Sequence, residues 1–342
     1  MPEPGAGTWG RLLERLEALR ALGSSGFKGG RAEGRAGRAR KPAAPAVRVA
    51  VVTDSAAALP QAWLDQAPDW FRHVPMPVMV GEEIYSSADL AEGEERVAER
   101  LSLALAMGET VRTSRPSPAT LAAAYRELET AGYSAILSVH LSAELSGTVD
   151  AARIAAAECG IPVQVLDSRT AAMCQGFAVQ TACGLAGQGA PLELVAAGAE
   201  ASLAGSAVHF YVPSLEQLRR GGRIGNAASW LGTVLAIKPI LGIAGGKVVP
   251  VERVRSAARA LARLEDLAAA AAKSIPEESL GLAVHHFGSP QAASELAGRL
   301  AEAFPAAPPV VISTLPPVLA AHVGLGVLAI VSAQLPPREL SA

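Results

Sequence analysis

The sequence predicts a two-domain α/β protein, with a parallel, doubly wound sheet in the N-terminal domain and a mixed α/β arrangement in the C-terminal domain. Half of the 342 residues are hydrophobic, which suffices for two domains of ordinary size or one large one. In the first half, short apolar runs alternate with alanine-rich amphipathic segments, a pattern typical of parallel sheets covered by helices. In the second half, two apolar runs flank the Gly245–Gly246 pair, which indicates an antiparallel hairpin.

Residues 1–46 differ from the rest, and we expect a disordered extension that contains a short amphipathic helix. The helix is predicted from apolar residues at helical spacing, namely Trp9, Leu12, Leu13, Leu16, Leu19 and Leu22. The run after it is rich in glycine, alanine and arginine and has no period, which is typical of a linker. Its cations would suit acidic lipid head groups or RNA, but a solvated tail is the simpler interpretation.

The N-terminal domain is expected to span residues 47–205. Four apolar runs in it predict buried strands: VRVAVVTDS, HVPMPVMV, SAILSVHLS and VQVLDS. Two alanine-rich segments between them predict helices: PATLAAAYRELETAG and GTVDAARIAAAECG.

The C-terminal domain is expected to span residues 206–342. Strands are predicted at AVHFYVPS, LGLAVHHFG and VLAIVSA, and helices at LEQLRRGG, PQAASELAGRLAEAF and residues 256–273. The apolar stretch 310–332 contains prolines and glycines at a density that argues for buried strands and a loop, and against a membrane-spanning helix.

Composition narrows the range of functions. A net charge of −2 and 4% aromatic residues give no reason to expect a nucleic-acid partner. The three cysteines fit no metal site and are interpreted as small buried hydrophobes in a reducing compartment. The N-terminus has no pattern of a secretory signal, so a cytoplasmic location is expected.

Two segments are candidate anion sites. Thr113 and Ser114 lie just before Ser117 and Pro118, which are typical of the start of a helix, and their hydroxyls can face an anion. Ser146 and Gly147 follow a predicted strand and open the next helix, where free amides favour negative charge. The alternative is local turn chemistry for the first segment, where a cap explains Ser117 but not Thr113 and Ser114, and a simple helix cap for the second.

Several charged residues also call for an explanation. Arg223 belongs to a run of arginines around a glycine pair, which suits phosphate or carboxylate but also a solvated helix end. His322 lies between apolar runs, as core histidines commonly do. Asp54 and Asp167 each end a strand before a serine, which fits acid/base work or helix capping.

The sequence contains no P-loop, dinucleotide-binding fingerprint, nucleophile elbow or metal-binding cluster.

Taken in order, these segments resemble the DegV family over roughly residues 47–335. The resemblance rests on VTDSAAALP, VPMPVMVGEEIY, the segment from TSRPSP to ARIAA, VLDSRTAAMCQGF, and the segment from LEQLRRGGRIG to VERVRS. It implies a two-domain α/β fold that binds one long-chain fatty acid and needs no other cofactor. It also implies a role as the lipid-carrying, non-catalytic subunit of a bacterial fatty-acid kinase. In that system a separate ATP-binding subunit phosphorylates the carboxylate, and the acyl phosphate feeds phospholipid synthesis.

The resemblance also implies roles for individual residues. Carboxylate contacts fall on Thr113, Ser114, Ser146 and the Gly147 amide, with His322 supporting them. Arg223 and Arg255 would face the kinase subunit and the transferred phosphate. The chain departs from the family at Ala56, Ala58 and Leu325, and at Arg115, where glutamine is usual; Arg115 is expected to alter the head-group electrostatics or the partner surface.

Three alternatives stay open. The first is an enzyme acting on a small phosphorylated or carboxylated metabolite. The second is a lipid carrier or sensor without a kinase partner. The third is an adaptor that makes contact with a membrane or partner through the N-terminal helix; for the leading hypothesis we expect at most transient membrane contact.

Overall fold

The computed structural model describes residues 6–24, 48–225 and 238–337. The strands are β1 (Val49–Asp54), β2 (Phe71–Val74), β3 (Val78–Val80), β4 (Glu83–Tyr85), β5 (Val111–Thr113), β6 (Ala135–His140), β7 (Val163–Asp167), β8 (Ala207–Tyr211), β9 (Lys238–Ala244), β10 (Lys247–Val254), β11 (Leu280–His286), β12 (Val311–Thr314) and β13 (Leu328–Gln334). The α-helices are α1 (Ala6–Ser24), α2 (Gln61–Leu64), α3 (Ser87–Met107), α4 (Pro118–Thr130), α5 (Thr148–Ala157), α6 (Met173–Gly187), α7 (Leu192–Ala204), α8 (Glu216–Arg220), α9 (Ala257–Ala272), α10 (Pro290–Ala303) and α11 (Pro317–Val323).

The first sheet is parallel and has the order β2-β1-β6-β7. Its central strands, β1 and β6, are buried along their whole length, which explains why each begins with consecutive apolar residues, 49–52 and 135–137, in place of an alternating pattern. Helices α4 and α5 follow β5 and β6, and α4 begins as predicted, with the Ser117 hydroxyl accepting from the Thr120 amide and Pro118 in the first turn.

The second sheet is mixed and has the order β10-β9-β8-β13-β11-β12. β9 and β10 form the predicted antiparallel hairpin around Gly245 and Gly246, both of which have positive φ. β11 and β12 are parallel, and the other pairs are antiparallel. The predicted α/β class, with a parallel N-terminal sheet and a mixed C-terminal one, is therefore confirmed. One apolar core cluster contains residues of both sheets, such as Leu137 and Val331, and the boundary near residue 205 stays a prediction.

The HVPMPVMV run is two strands in different sheets, and the single strand predicted there is wrong. β2 ends at Val74 in the parallel sheet, whereas β3 lies between β4 and β5 in a third, antiparallel sheet. Pro75 and Pro77 separate the two strands; proline has no backbone N–H to give to a ladder, so the chain leaves one sheet there and enters another.

The stretch 310–332 contains a helix that the sequence did not predict. β12 and β13 are strands as expected, but α11 replaces the predicted loop between them. Pro317 suits the first turn of α11, and Gly324 ends it at φ 83°. Among the described helices, none is both long and apolar enough to span a bilayer.

The predicted N-terminal helix is present as α1. Trp9, Leu12 and Leu16 are buried and belong to the core cluster, and α1 packs against α7. These three residues of the apolar face proposed for a membrane or partner adaptor therefore pack against the protein itself, whereas the side chains of Leu19 and Leu22 lie outside the description. The linker predicted after it spans residues 23–46; Gly23 and Ser24 belong to α1 instead, and residues 25–46 lie outside the described residues.

Candidate functional site

An apolar cavity lies between elements of the first and second sheets and has an empty volume of about 870 Å³, counting the part that is open to solvent. All but six of the lining residues are apolar: Met76, Leu141, Leu145, Ala171, Ala172, Val208, Phe210, Leu218, Ile243, Val248, Leu315, Val318, Leu319, Val323, Val327 and Ala329. Aliphatic side chains dominate this set, so the cavity suits a flexible hydrocarbon better than a stacked ring.

The six polar lining residues are Thr113, Ser114, Arg115, Ser146, Arg223 and His322. They come from the end of β5, the loop before α5, the turn after α8 and the last turn of α11. None of the described lining residues is acidic. A cavity with this lining can bury a hydrocarbon chain and accept an anionic head.

Thr113 and His322 are joined directly, although 209 positions separate them. The Thr113 Oγ1 and His322 Nε2 atoms are 2.8 Å apart. Burial, and then the positive charge of Arg223, lowers the pKa of His322 to about 4, so the imidazole is neutral near pH 7. Its buried Nδ1 atom has no hydrogen-bond partner among the described residues. A neutral ring can fix the Thr113 hydroxyl without placing a second charge next to a bound anion.

The His322 ring packs directly against the backbone of Gly221. A Cβ atom at Gly221 would collide with the His322 Nδ1 atom, so this glycine leaves the space that the ring occupies. Gly221 has φ −74°, which any residue adopts, and so the need for glycine here comes from this close approach.

Ser146 and Gly147 begin α5, as predicted. Gly147 is the N-cap and provides no side-chain cap, so amides of the first turn lack intrahelical partners. The Ser146 and Thr148 hydroxyl oxygens are 2.8 Å apart. Amides and hydroxyls at a helix N-terminus are suited to a carboxylate or phosphate oxygen.

Two arginines hold the same loop from either side of Ser146. Arg223 Nε donates to the Leu145 carbonyl oxygen at 3.1 Å, and its Nη1 donates to the Gly221 carbonyl oxygen at 2.6 Å. Arg115 Nη1 donates to the Gly147 carbonyl oxygen at 3.4 Å, and its guanidinium occupies the space that a Cβ at Gly147 would need.

Most of the predicted site residues thus lie together. Thr113, Ser114, Ser146, Arg223 and His322 line the cavity, and Gly147 adjoins it. Arg255 is exposed beyond the end of β10 and does not line it. The roles assigned to these residues remain predictions.

Sequence reasoning found Arg115 only as a departure from a family pattern. The sequence did indicate that Arg115 lies near the site, because it directly follows Thr113 and Ser114. The apolar lining carried no comparable signal, because its members look like any other core residues.

Asp54 belongs to a buried polar chain. Its Oδ2 is 2.8 Å from His140 Nδ1, and His140 Nε2 is 2.8 Å from Ser138 Oγ, which is in turn 2.8 Å from the Tyr125 hydroxyl. All four residues are 0% exposed, so no substrate reaches them. The Asp54 Oδ1 atom also accepts from the Ala56 amide and so caps the short 3-10 helix Ser55–Ala57. Helix capping is therefore the role that the structure supports for Asp54.

Asp167 Oδ1 accepts from the amides of Ala143 and Arg169, which lie in loops, so this residue stabilises two turns and caps no described helix. Within the described residues there is no group of three or more histidine, cysteine, aspartate or glutamate side chains that is arranged to hold a metal ion.

Comparisons with known proteins agree on one family. A family profile described as "Uncharacterised protein, DegV family" matches residues 48–335. Curated DegV domain-containing proteins from Streptomyces coelicolor and Mycobacterium tuberculosis are 41% and 38% identical, over 83% and 82% of this chain and 97% and 96% of theirs.

Solved structures give the same result. A DegV family protein from Thermus thermophilus, described by its fatty-acid binding, matches with a TM-score of 0.76 at 31% identity, over 84% of this chain and 100% of that one. DegV from Bacillus subtilis, described as a fatty-acid-binding protein, matches with a TM-score of 0.72 at 30% identity, over 84% and 99%.

Proposed function

This chain belongs to the DegV family, and from that premise we propose that it binds one long-chain fatty acid, with the acyl chain in the cavity and the carboxylate at the polar end. The observation that carries the proposal is the combination of an aliphatic lining with a mouth that has hydroxyls, two arginines and no described acidic residue. A small phosphorylated metabolite, the alternative substrate class, would leave this apolar surface uncovered.

The acyl chain supplies most of the affinity. Each buried methylene contributes about 0.8 kcal/mol, so some fourteen methylenes give an upper limit of about 11 kcal/mol before the cost of association. The walls that would cover this chain come mainly from buried side chains such as Val208, Phe210 and Val327.

The head group is held by neutral donors. An unpaired carboxylate is costly to remove from water. The Thr113 and Ser146 hydroxyls and the amides at the start of α5 replace that water, while neutral His322 orients Thr113. Because none of these groups is charged, the carboxylate oxygens keep their nucleophilicity.

A titration with matched ligands tests this binding mode. Delipidated protein would be titrated with palmitate and with methyl palmitate, which share the acyl chain. We expect both to bind, palmitate about tenfold or more tightly, since only palmitate offers a charged acceptor for hydrogen bonds. Equal affinities would show that the polar end does not recognise a carboxylate, and absence of binding by both would refute the proposal itself.

We further propose that the bound carboxylate is presented to a separate ATP-binding kinase subunit in the cytoplasm. A carboxylate oxygen attacks the γ-phosphorus of ATP, ADP leaves, and an acyl phosphate for phospholipid synthesis remains on this chain. Support comes from the exposure of Ser114, Arg115 and Arg223 at the mouth. Arg255 is also exposed, and we propose it as a contact for the kinase subunit outside the cavity.

Co-purification of an ATP-binding protein, followed by trapping of the acyl phosphate with hydroxylamine, tests the kinase role. Acyl hydroxamate that forms only when fatty acid, ATP, this chain and the partner are all present is the expected result. Fatty-acid binding without any hydroxamate would instead favour a carrier without a kinase partner.

A further inference from the structure

Leu315 separates the apolar cavity from a second cleft. It is 4% exposed, and it is the one described residue that lines both spaces. The second cleft has an empty volume of about 1170 Å³, counting the part that is open to solvent. The side chain of Leu315 is therefore the part of the cavity wall behind which this open space lies.

The second cleft differs from the cavity in its chemistry. Its lining includes the hydroxyl groups of Ser55, Ser313 and Thr314 together with the carboxylates of Glu94 and Glu95, and none of its described lining residues is a lysine or arginine. Two carboxylates would repel the head of a fatty acid. The cleft is thus a polar and acidic space beside the acyl chain, and does not suit the head group.

The backbone around Leu315 is held from several sides. The Leu315 amide donates to the His286 carbonyl oxygen at 2.8 Å, and the Ser313 Oγ atom is 2.9 Å from His285 Nδ1. Pro316 follows Leu315 directly and restricts its backbone conformation. Because the backbone is fixed in this way, the size of the Leu315 side chain decides whether the wall is closed.

Leu315 lies beside the middle of the acyl chain in the proposed binding mode. From Pro317 to His322 the helix α11 rises about 7.5 Å, and Leu315 lies two residues before it, so Leu315 is roughly 10 Å from the polar end. An extended acyl chain advances about 1.25 Å per carbon, which places roughly the eighth to tenth carbon there. The six polar lining residues belong to the polar end, so the described lining offers no side-chain hydrogen bond at this depth.

Resting on the proposed function, we infer that Leu315 determines which acyl chains this protein accepts: it admits chains that are apolar in the middle and excludes chains with a mid-chain hydroxyl. In the wild type such a hydroxyl would leave water and meet only hydrocarbon, which is costly. Without the Leu315 side chain, the same hydroxyl would face the second cleft and its polar residues.

Titration of delipidated protein with stearate and with 10-hydroxystearate tests this inference, because the two ligands differ by one hydroxyl at the depth of Leu315. Wild type, Leu315→Ala and Leu315→Val would be compared. Leu319→Ala is the matched control. Leu319 also lines the cavity but does not line the second cleft, so its truncation removes the same three carbons without joining the two spaces.

We expect wild type to bind stearate about tenfold or more tightly than 10-hydroxystearate, because of the cost of burying an unpaired hydroxyl. In Leu315→Ala this ratio should fall to about threefold or less, and Leu315→Val should lie between the two. Both alanine variants should bind stearate about tenfold more weakly, since each loses apolar contact with the chain. Leu319→Ala should nevertheless keep the wild-type ratio.

The ratio of the two affinities distinguishes the possible failures. A folded Leu315→Ala protein with the wild-type ratio overturns the inference and leaves fatty-acid binding in place; if this variant does not fold, an unchanged ratio in Leu315→Val has the same meaning. Equal affinities in wild type, or an equal fall of the ratio in Leu319→Ala, would also overturn the role of Leu315. Wild type that binds neither ligand overturns the proposed function, and the inference with it.

Discussion

Replacing Val318 by phenylalanine is expected to block the cavity close to its polar end. Val318 lines the cavity, is 3% exposed and lies in the first turn of α11. It precedes His322 by four residues, so the two lie on one face of the helix, about 6 Å apart along its axis. A larger side chain here would occupy the space of the first methylenes below the head group.

The magnitude follows from the volume that is lost. Phenylalanine has about four more side-chain carbons than valine, and about four displaced methylenes cost the ligand about 3 kcal/mol. Rotation of the new ring reduces this to about 2 kcal/mol in the least severe case. Palmitate should therefore bind about 30- to 200-fold more weakly.

Calorimetric titration of delipidated protein measures the loss, and thermal unfolding shows whether the variant folds. Because the new ring enters an empty cavity, the midpoint of unfolding should not fall. Val251→Phe is the matched control: Val251 is 38% exposed and does not line the cavity, so this change should leave palmitate affinity within about twofold.

A folded Val318→Phe protein with wild-type affinity for palmitate would refute the reasoning. It would mean that the acyl chain does not pass this point of the cavity, and the assignment of the polar end to the head group would have to be abandoned.

Four further predictions concern the head group, pH, and the scaffold. Thr113→Val keeps the shape but removes the hydroxyl, and should weaken palmitate binding about tenfold in the same titration; unchanged affinity would exclude a contact with the ligand. Burial lowers the pKa of His285 and of His322 to about 4. Between pH 7 and pH 5 these histidines therefore become protonated in the unfolded chain but stay largely neutral in the folded chain. The free energy of unfolding in urea should therefore fall by about 2 kcal/mol per histidine from pH 7 to pH 5, and equal values at both would contradict this. Leu16→Ala should lower it by about 2–4 kcal/mol because Leu16 is buried against the core, and a loss under about 0.5 kcal/mol would show that α1 does not contribute. Gly298→Ala, in α10 with no atom within 4 Å of the new Cβ, should raise it by about 0.5–1 kcal/mol, and a decrease would reveal a contact that the structure lacks.

Periodicity and turn chemistry predicted the main elements of this fold. The buried strand β6 is recognisable because it begins with three consecutive apolar residues, and the β9–β10 hairpin because Gly245 and Gly246 supply the positive φ that its turn requires. The third sheet was missed because β3, β4 and β5 have only three residues each, too few for a two-residue period to stand out.

Prolines account for two wrong predictions, one of a strand and one of a loop. Pro75 and Pro77 divide what resembles one apolar strand, whereas Pro317, taken as a sign of a loop, begins α11. The same residue type ends a strand or starts a helix according to which backbone donors its neighbours need, and this depends on the tertiary structure.

The site could be predicted in part only. Motif order placed Thr113, Ser146 and His322 in one region through a resemblance, since no local rule joins residues 209 positions apart. The structure brings these three residues to one cavity. For Arg115 the sequence predicted an effect on the head-group electrostatics or the partner surface, but not its contact with the Gly147 backbone, which depends on the tertiary structure.

The most direct test of the central claim is to compare the mass of the purified protein under native and denaturing conditions and to identify any released lipid. We predict a native mass that exceeds the denatured mass by one long-chain fatty acid per chain. A protein that is empty, and that stays empty after incubation with oleate and palmitate, would contradict the claim that this cavity is a fatty-acid site.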